Sequence, residues 1–389
     1  MKILMIHPHD IYSSFEPWTV RITHIAREFV KKGHDVRLIY FRLDSAAHTE
    51  PEEDSLDGIE VTSLSRRIGW GQLFRNIKAM LPHARWADLV HFQKCFHYAV
   101  LPALVCSWMA NKPVHYDWDD WEAKIYFQGG EPPSLFVGMF LDLMERLIPR
   151  MVDTGSYSSQ RIQELFIERG MDAEKLVHAP VGADLELFHP SCNGDGVKEE
   201  YHITGPLVLY VGQLHGGQYA ELFIKAAAGV LKVRPEATFM IVGGGYRLEE
   251  LRRMGKVLGI GEKVIFTGSV PHHLVPRYIT SCDIGVACFE NNEITLCKSP
   301  LKIVEYLASG KPIVASNVGE VRRMVGGAGL LVQPGDVKGL SDGIMKLLQN
   351  PLLREKLGKA ARERAESRYN WKATAENILR AYQQATGKA

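Results

Sequence analysis

Apolar positions along this chain alternate between two spacings. Short unbroken apolar runs, the mark of strands buried on both faces, lead through glycine or polar turns into segments with apolar residues three and four apart, the mark of helices. In the first half Lys2–Ile6 reads as a strand and His7–Pro17 as a polar loop, and a helix then runs to about Lys32, where Gly33 stops it. Asp35–Phe41 is the next strand. Ser45–Asp57, acidic and helix-breaking, reads as a surface loop, and Leu89–Phe92 and Pro113–Tyr116 read as strands flanking an apolar helix over Ala99–Ala110. The pattern restarts at Pro206 with strand Leu207–Val211, turn Gly212–Gly217 and a helix to about Val233. Strand Thr238–Val242, glycines 243–245, helix Leu248–Leu258, strand Lys263–Phe266, a helix near Pro276–Ser281 and strand Ile284–Cys288 follow. Between the halves, the polar, glycine-bearing stretch Asp184–Gly205 reads as a linker.

Strands alternating with helices imply parallel sheets wound by right-handed crossovers. Each half is therefore expected to be an α/β, Rossmann-like doubly wound domain, with ligands outside the carboxyl ends of its strands and a cleft where the two domains face. No G-x-G-x-x-G follows the first strand, which argues against a nicotinamide site. Glycines 243–245 read as a tight turn that lets the backbone approach a ligand or a neighbouring loop.

Ser299–Val321, SPLKIVEYLASGKPIVASNVGEV, is the most informative stretch. Ser299 is placed as an N-cap and Pro300 in the first helical turn, Gly310 closes the helix, and Pro312–Ser316 is a buried strand. A helix N-terminus in a cleft suits anions, and Glu305, one turn in, suits neutral hydroxyls such as those of a ribose. That is a layout for a sugar nucleotide.

With 389 residues the chain is long enough for about two domains, and 46 basic against 45 acidic residues give no bulk attraction to nucleic acid. No apolar run is long enough to span a bilayer, and the start lacks a secretory pattern. The six cysteines are scattered without C-x-x-C, as expected of a reduced, cytoplasmic protein without structural zinc.

At this point the chain resembles the GT-B glycosyltransferases, specifically the retaining enzymes of family 4. The resemblance rests on REFVKKGHDVRLI (27–39), DLVHFQ (88–93) and APVGADLELFHP (179–190) in the first half. In the second it rests on LVLYVGQL (207–214), FMIVGGG (239–245), VIFTGSVP (264–271), CDIGVACF (282–289) and SPLKIVEYLASGKPIVAS (299–316), in order and spacing. The tail RYNWKATAENILRAY (368–382) is similar to the final helix that crosses back to the first domain in this fold. The resemblance implies an acceptor-binding domain of residues 1–184 with 369–389, a linker over 185–205, and a donor-binding domain over 206–368. It implies transfer of a hexose-type sugar, with retained configuration, from a UDP- or GDP-linked donor to an acceptor hydroxyl in surface polysaccharide or glycan biosynthesis. No metal and no cofactor beyond the donor substrate are expected.

Carried over residue by residue, the donor site falls on Gly212, Gln213, Gln218, Gly244, Val270, Cys297, Ser299, Pro300, Leu301 and Glu305. The family usually has Arg and Lys where Gln213 and Gln218 stand, and the first Glu of its E-x7-E pair is here Cys297. Lys298 and Lys302 are the basic residues near enough in sequence to return charge to the diphosphate, with help from N–H groups at Gly216–Gly217. The first-domain loop that often holds an active-site His reads YDWDDWE (116–122), which makes Asp119 and Asp120, with Lys298, the catalytic candidates. His7, His9, Arg21 and Asp117 are the acceptor-binding candidates, and Trp118 and Trp121 could stack on a sugar. Two alternatives follow from the missing charges: a degenerate GT-B binding or partner protein, and a GT-B sugar-nucleotide epimerase. Ile68–Trp86 carries an apolar stripe of Trp70, Phe74, Ile77 and Leu81 flanked by Arg75 and Lys78. It reads as a helix over the sheet or as an interfacial helix giving peripheral contact with the inner face of a membrane and a lipid-linked acceptor, and Ser134–Arg150 has the same two readings.

Overall fold

The computed structural model describes residues 1–13, 17–42, 55–128, 134–217 and 219–388. Two compact units emerge: one gathers the chain up to Phe127, the residues to Pro180 and those from Trp371 on, and the other runs from Val181 to Asn370.

The first unit begins with β1 (Lys2–His7), α1 (Val20–Lys31), β2 (Asp35–Arg42), β3 (Ser55–Leu56) and β4 (Ile59–Ser65). It continues through α2 (Trp70–Trp86), β5 (Leu89–Gln93), α3 (His97–Ala110), β6 (Val114–Trp118), α4 (Glu122–Gln128), α5 (Leu135–Leu147), β7 (Thr154–Tyr157), α6 (Gln160–Glu168) and β8 (Leu176–His178). The sheet order is β3-β4-β2-β1-β5-β6-β7-β8, parallel except for β3. The β3–β4 hairpin departs from the expected Ser45–Asp57 surface loop. Of that stretch, residues 45–54 lie outside the described residues, while Ser55–Leu56 pairs with Ile59–Glu60 across Asp57-Gly58. Both turn residues have positive φ, 51° and 82°, which suits a tight hairpin and is tolerated by Asp-Gly.

The second unit holds α7 (Asp195–Glu200), β9 (Leu207–Val211), α8 (Ala220–Leu231), β10 (Thr238–Val242), α9 (Leu248–Val257), β11 (Val264–Gly268) and α10 (Val275–Ser281). Next come β12 (Ile284–Ala287), α11 (Glu293–Cys297), α12 (Leu301–Ala308), β13 (Ile313–Ser316), α13 (Gly319–Val325), β14 (Gly329–Val332), α14 (Val337–Gln349) and α15 (Pro351–Ser367). Its order, β11-β10-β9-β12-β13-β14, is that of a doubly wound Rossmann-like sheet, parallel throughout. Along β9 the side chains alternate between two cores. Leu207, Leu209 and Val211 join Met240, Ile303 and Leu307 on one face, and Val208 and Tyr210 join Phe223, Phe239 and Ile241 on the other. Residues 185–205 fold into this unit: Phe188, Val197 and Ile203 are buried in its first core. The last helix, α16 (Trp371–Thr386), returns to the first unit, where Trp371, Ile378 and Tyr382 are buried and the Tyr382 hydroxyl lies 2.6 Å from His91 Nδ1.

Candidate functional site

In the second unit the strand order reverses between β9 and β12, so the carboxyl ends of these strands mark the expected ligand position. The chain leaves β9 through Gly212, at φ +145°. Beside it, a Cβ on Gly243 would lie 2.0 Å from the Gly212 carbonyl oxygen, and one on Gly245 would lie 2.4 Å from that of Leu214. The amide of Leu214 donates to the Gly244 carbonyl at 2.8 Å. The glycine triplet thus lets two loops run backbone against backbone. Gln213 is half-buried in the turn, and Gln218 lies outside the described residues. The Gly216 N–H, expected to face a phosphate, donates instead to the Tyr246 hydroxyl at 2.7 Å.

Helix α12 is fixed over the same strand ends by Tyr306. Its hydroxyl accepts from the Val211 amide at 3.0 Å, and its ring fills space above Gly285, where a Cβ would come within 2.8 Å of it. Pro300, not Ser299, is the N-cap, and among the described residues no side chain caps the first turn. Ser299 sits one residue too early: its Oγ accepts from the Val181 amide at 3.3 Å and lies 3.7 Å from the Met324 sulfur. Leu301 and Val270 pack partly buried against the core, and Cys297 is buried at the end of α11. Lys298 Nζ reaches the Gly217 carbonyl at 3.4 Å.

Glu305 is only 3% exposed and its Oε1 lies 2.7 Å from Nε2 of His272. Burial would lower the His272 pKa, but the hydrogen bond and charge of Glu305, helped by Asp184, raise it above its ordinary value. The Glu305 carboxylate thus favours the protonated form of His272. His272 escaped the sequence reading, although His272-His273 directly follow the VIFTGSVP segment. Lys302 is 8% exposed, and its Nζ has no hydrogen-bond partner among the described residues. That Nζ stands 3.9 Å from the centre of the Tyr210 ring.

The first unit has its own reversal between β1 and β5, and polar side chains gather beyond those strand ends. His7 is fully buried, with burial, then His9 and Lys94, pushing its pKa well below the usual imidazole value. His9 packs edge-on against Trp18 and Phe96. Asp119 accepts from Gln93 Nε2 at 2.8 Å and lies 3.4 Å from Lys94 Nζ, which also bonds Glu122. Lys94 adopts φ +65°, a left-handed conformation rare for such a residue, and its ammonium lies within the cluster. Burial raises the Asp119 pKa, with Lys94 and Arg21 opposing. Asp120 is half-buried, its carbonyl accepting from Trp118 Nε1.

Arg21 and Asp117, expected to face an acceptor, face each other. The guanidinium donates through Nε and Nη2 to the two carboxylate oxygens, both at 2.7 Å, and both side chains are buried. Burial pushes the Asp117 pKa up, but the charge and hydrogen bonds of Arg21, with His91 and Ser156, overcome it and hold the group at about 2. The expected sugar platform is likewise internal: Trp118 and Trp121 are buried, with the Arg169 guanidinium 4.7 and 5.6 Å from their rings. Lys94 and Gln93 escaped the sequence reading, because only the adjoining strand ends bring them to Asp119. Helix α2 covers the sheet through Asn76, Met80 and Ala84, half-buries Ile77 and Leu81, and leaves Trp70 and Phe74 exposed. Among the described residues no helix is long and apolar enough to cross a membrane, and no group of three or more His, Cys, Asp and Glu side chains is placed to hold a metal ion.

Residues 198–364 match the family model for glycosyl transferases group 1, and residues 19–182 match that for the glycosyl transferase 4-like domain. With the two Rossmann-like sheets, these matches place the chain in the GT-B glycosyltransferase superfamily. It is 30% identical over 233 residues to a D-inositol 3-phosphate glycosyltransferase of Frankia alni, covering 56% of this chain and 55% of that one. It is 28% identical over 233 residues to a GDP-mannose-dependent alpha-(1-6)-phosphatidylinositol monomannoside mannosyltransferase of Mycolicibacterium smegmatis, covering 58% and 61%. The chain thus spans little more than half the length of these curated relatives. The fold is also that of Anabaena HepE, crystallised with UDP and glucose, at TM-score 0.78 and 20% identity over 99% of this chain and 100% of that one.

Proposed function

We propose that this chain is a retaining glycosyltransferase of the family 4 type. In this reading the second unit holds a UDP- or GDP-linked sugar and the first supplies the acceptor hydroxyl of a glycan or lipid-linked substrate. The reaction belongs to surface polysaccharide or glycan assembly. The observation that carries the reading is the convergence at the β9–β12 reversal of the uncapped start of α12, the buried carboxylate of Glu305 and the turn at Gly212. The dinucleotide-free glycine pattern and the GDP-mannose and UDP named for a relative and a structural neighbour support a nucleoside diphosphate there.

Chemically, a departing nucleoside diphosphate builds negative charge on its leaving oxygen. Preorganised donors in a site shielded from water lower that barrier most effectively. The first-turn amides of α12 and the nearby lysines are such donors, needing no metal in this reading. Glu305, held by His272, is placed to accept from ribose hydroxyls through its remaining lone pairs. Asp119, poised between Gln93 and Lys94, is the group in the first unit suited to orient an acceptor hydroxyl.

The test is a thermal-shift and calorimetric screen with UDP, GDP, ADP and their sugars, repeated with Glu305→Ala. Selective stabilisation by one nucleotide is expected, weakened about 10- to 100-fold in affinity by the substitution, the usual worth of hydrogen bonds to a charged group. An identical response in the variant would remove Glu305 from the site. Donor hydrolysis or transfer at high protein concentration separates an enzyme from a binding protein without turnover, and conversion of the donor without any acceptor would point to an epimerase.

A further inference from the structure

We propose that Lys302 is the cation that grips the donor's diphosphate in this chain, delivered from α12 to the glycine turn after β9. The inference rests on the nucleotide-sugar reading and assigns within it the residue that meets the phosphates.

Lys302 is more than nine-tenths buried, yet its Nζ meets no hydrogen-bond acceptor among the described residues. A buried ammonium without a partner is unfavourable, and proteins retain such groups where a ligand completes them. Two aromatic rings lie beside it, the Tyr210 ring centre at 3.9 Å and that of Phe289 at 5.9 Å. Tyr210 lies on β9 and Phe289 follows β12, so the ammonium sits over the strand-order reversal, on the side where the strands end. At Gly212 a Cβ would stand 2.8 Å from Nζ, so glycine there keeps the backbone of the turn against the ammonium. The turn itself, Gly212–Gly217, contributes no lysine or arginine. Lys302 is also the second residue of the uncapped α12, so its charge and the helix's first amides point to one anion.

The electrostatics agree with this geometry. Burial pushes the Lys302 pKa down to about 7; Cys288 opposes this, the like charge of Lys298 adds to it, and Glu305 opposes it least. The aromatic hydroxyl of Tyr210, its own pKa raised by burial, adds no negative charge near neutrality. A diphosphate arriving beside this amine would favour its charged form, so binding should draw a proton from solution.

Calorimetric titration at pH 8 with UDP and GDP, with UMP and GMP as comparators, in two buffers of different ionisation enthalpy, tests the proposal. Expected for the intact protein is proton uptake with the diphosphate that binds. Lys302→Met should weaken that diphosphate about 10- to 100-fold, abolish the uptake, and change binding of the monophosphate much less. Lys302→Arg, permanently charged, should restore part of the affinity without the uptake. Because Lys302→Met replaces a buried amine that has no hydrogen-bond partner among the described residues, it should melt at or above the wild-type temperature, so lost binding would not reflect lost folding. If Lys302→Met bound the diphosphate as tightly as wild type while Glu305→Ala did not, Lys302 would be excluded and the nucleotide reading would stand. If neither UDP nor GDP bound the intact protein, both would fall.

Discussion

Glu145 illustrates how single residues in this protein are set by burial. It lies on α5 with no exposed surface, its Oε1 accepting from the Glu122 amide at 2.9 Å, while Arg169 Nη1 stands 3.9 Å from Oε2, too far for a hydrogen bond. Burial, helped by the charge of Glu122, raises its pKa to about 8 against the opposing charge of Arg169. The folded state therefore keeps the proton to about pH 8, whereas the unfolded chain releases it near 4.5. Across that window the folded state binds more protons, so the contribution of Glu145 to stability falls as pH rises. Glu145→Gln, neutral at every pH, should gain on wild type by a few kcal/mol between pH 5 and 8, measured as the difference in denaturation free energy. A constant difference would mean the carboxylate is charged in the folded protein. A lone helical glutamate gives no sign of this in sequence. The Asp117–Asp120 cluster was visible, but Arg21, expected to face ligand, is instead the buried partner of Asp117.

At the scale of elements, pattern and turn chemistry carried most of the fold. The strands β9 to β13, the glycine stop at Gly310 and the body of helix α12 stand where the apolar spacing put them, while β14 was not expected. The Ser55–Ser65 hairpin does not stand out in the sequence because β4 is only partly buried, and Ser55–Asp57 reads on composition as the end of an acidic loop. The glycine triplet was recognised as a close approach, and the structure identifies the partner as the turn after β9. Gly243→Ala should thus destabilise by roughly 1–3 kcal/mol, the scale of a strained backbone position, or more. The new methyl would press the Gly212 carbonyl, and nucleotide binding should weaken in parallel. Gly196→Ala, where nothing lies within 4 Å, is the control and should be near neutral in the same urea titration. Equal effects at both sites would show that the approach does not constrain the turn.

For the molecule as a whole, the near balance of charge hides a local asymmetry. In the first unit Ile68, Trp70 and Phe74 are 77, 79 and 68% exposed, beside exposed Arg67, Arg75 and Lys78. Ile68, Trp70 and Leu73 also border a cavity of about 210 Å³ with His97, Tyr98 and Leu101. Leu135, Phe136 and Met139 at the start of α5 are exposed as well. We propose that this face touches an anionic membrane surface where a lipid-linked acceptor resides. Sedimentation with phosphatidylglycerol-containing vesicles should carry the protein down at low salt and release it at high salt, and Trp70→Ser with Phe74→Ser should weaken the association at least several-fold. Protein that stays in solution with such vesicles at low salt would refute the contact.

Periodicity alone dictated two parallel α/β sheets, because a strand buried on both faces and a helix buried on one must each write their spacing into the chain. Motif spacing likewise marked Glu305 and the start of α12, since local backbone geometry brings those groups together. Tertiary packing decided the rest. It put His272 on Glu305, Arg21 on Asp117, Lys94 on Asp119, and Lys302 over Tyr210 with no hydrogen-bond partner among the described residues. Those pairings join residues from separate strands and helices, and the charge and hydrogen-bond state of a buried group is set by neighbours that sequence distance does not encode.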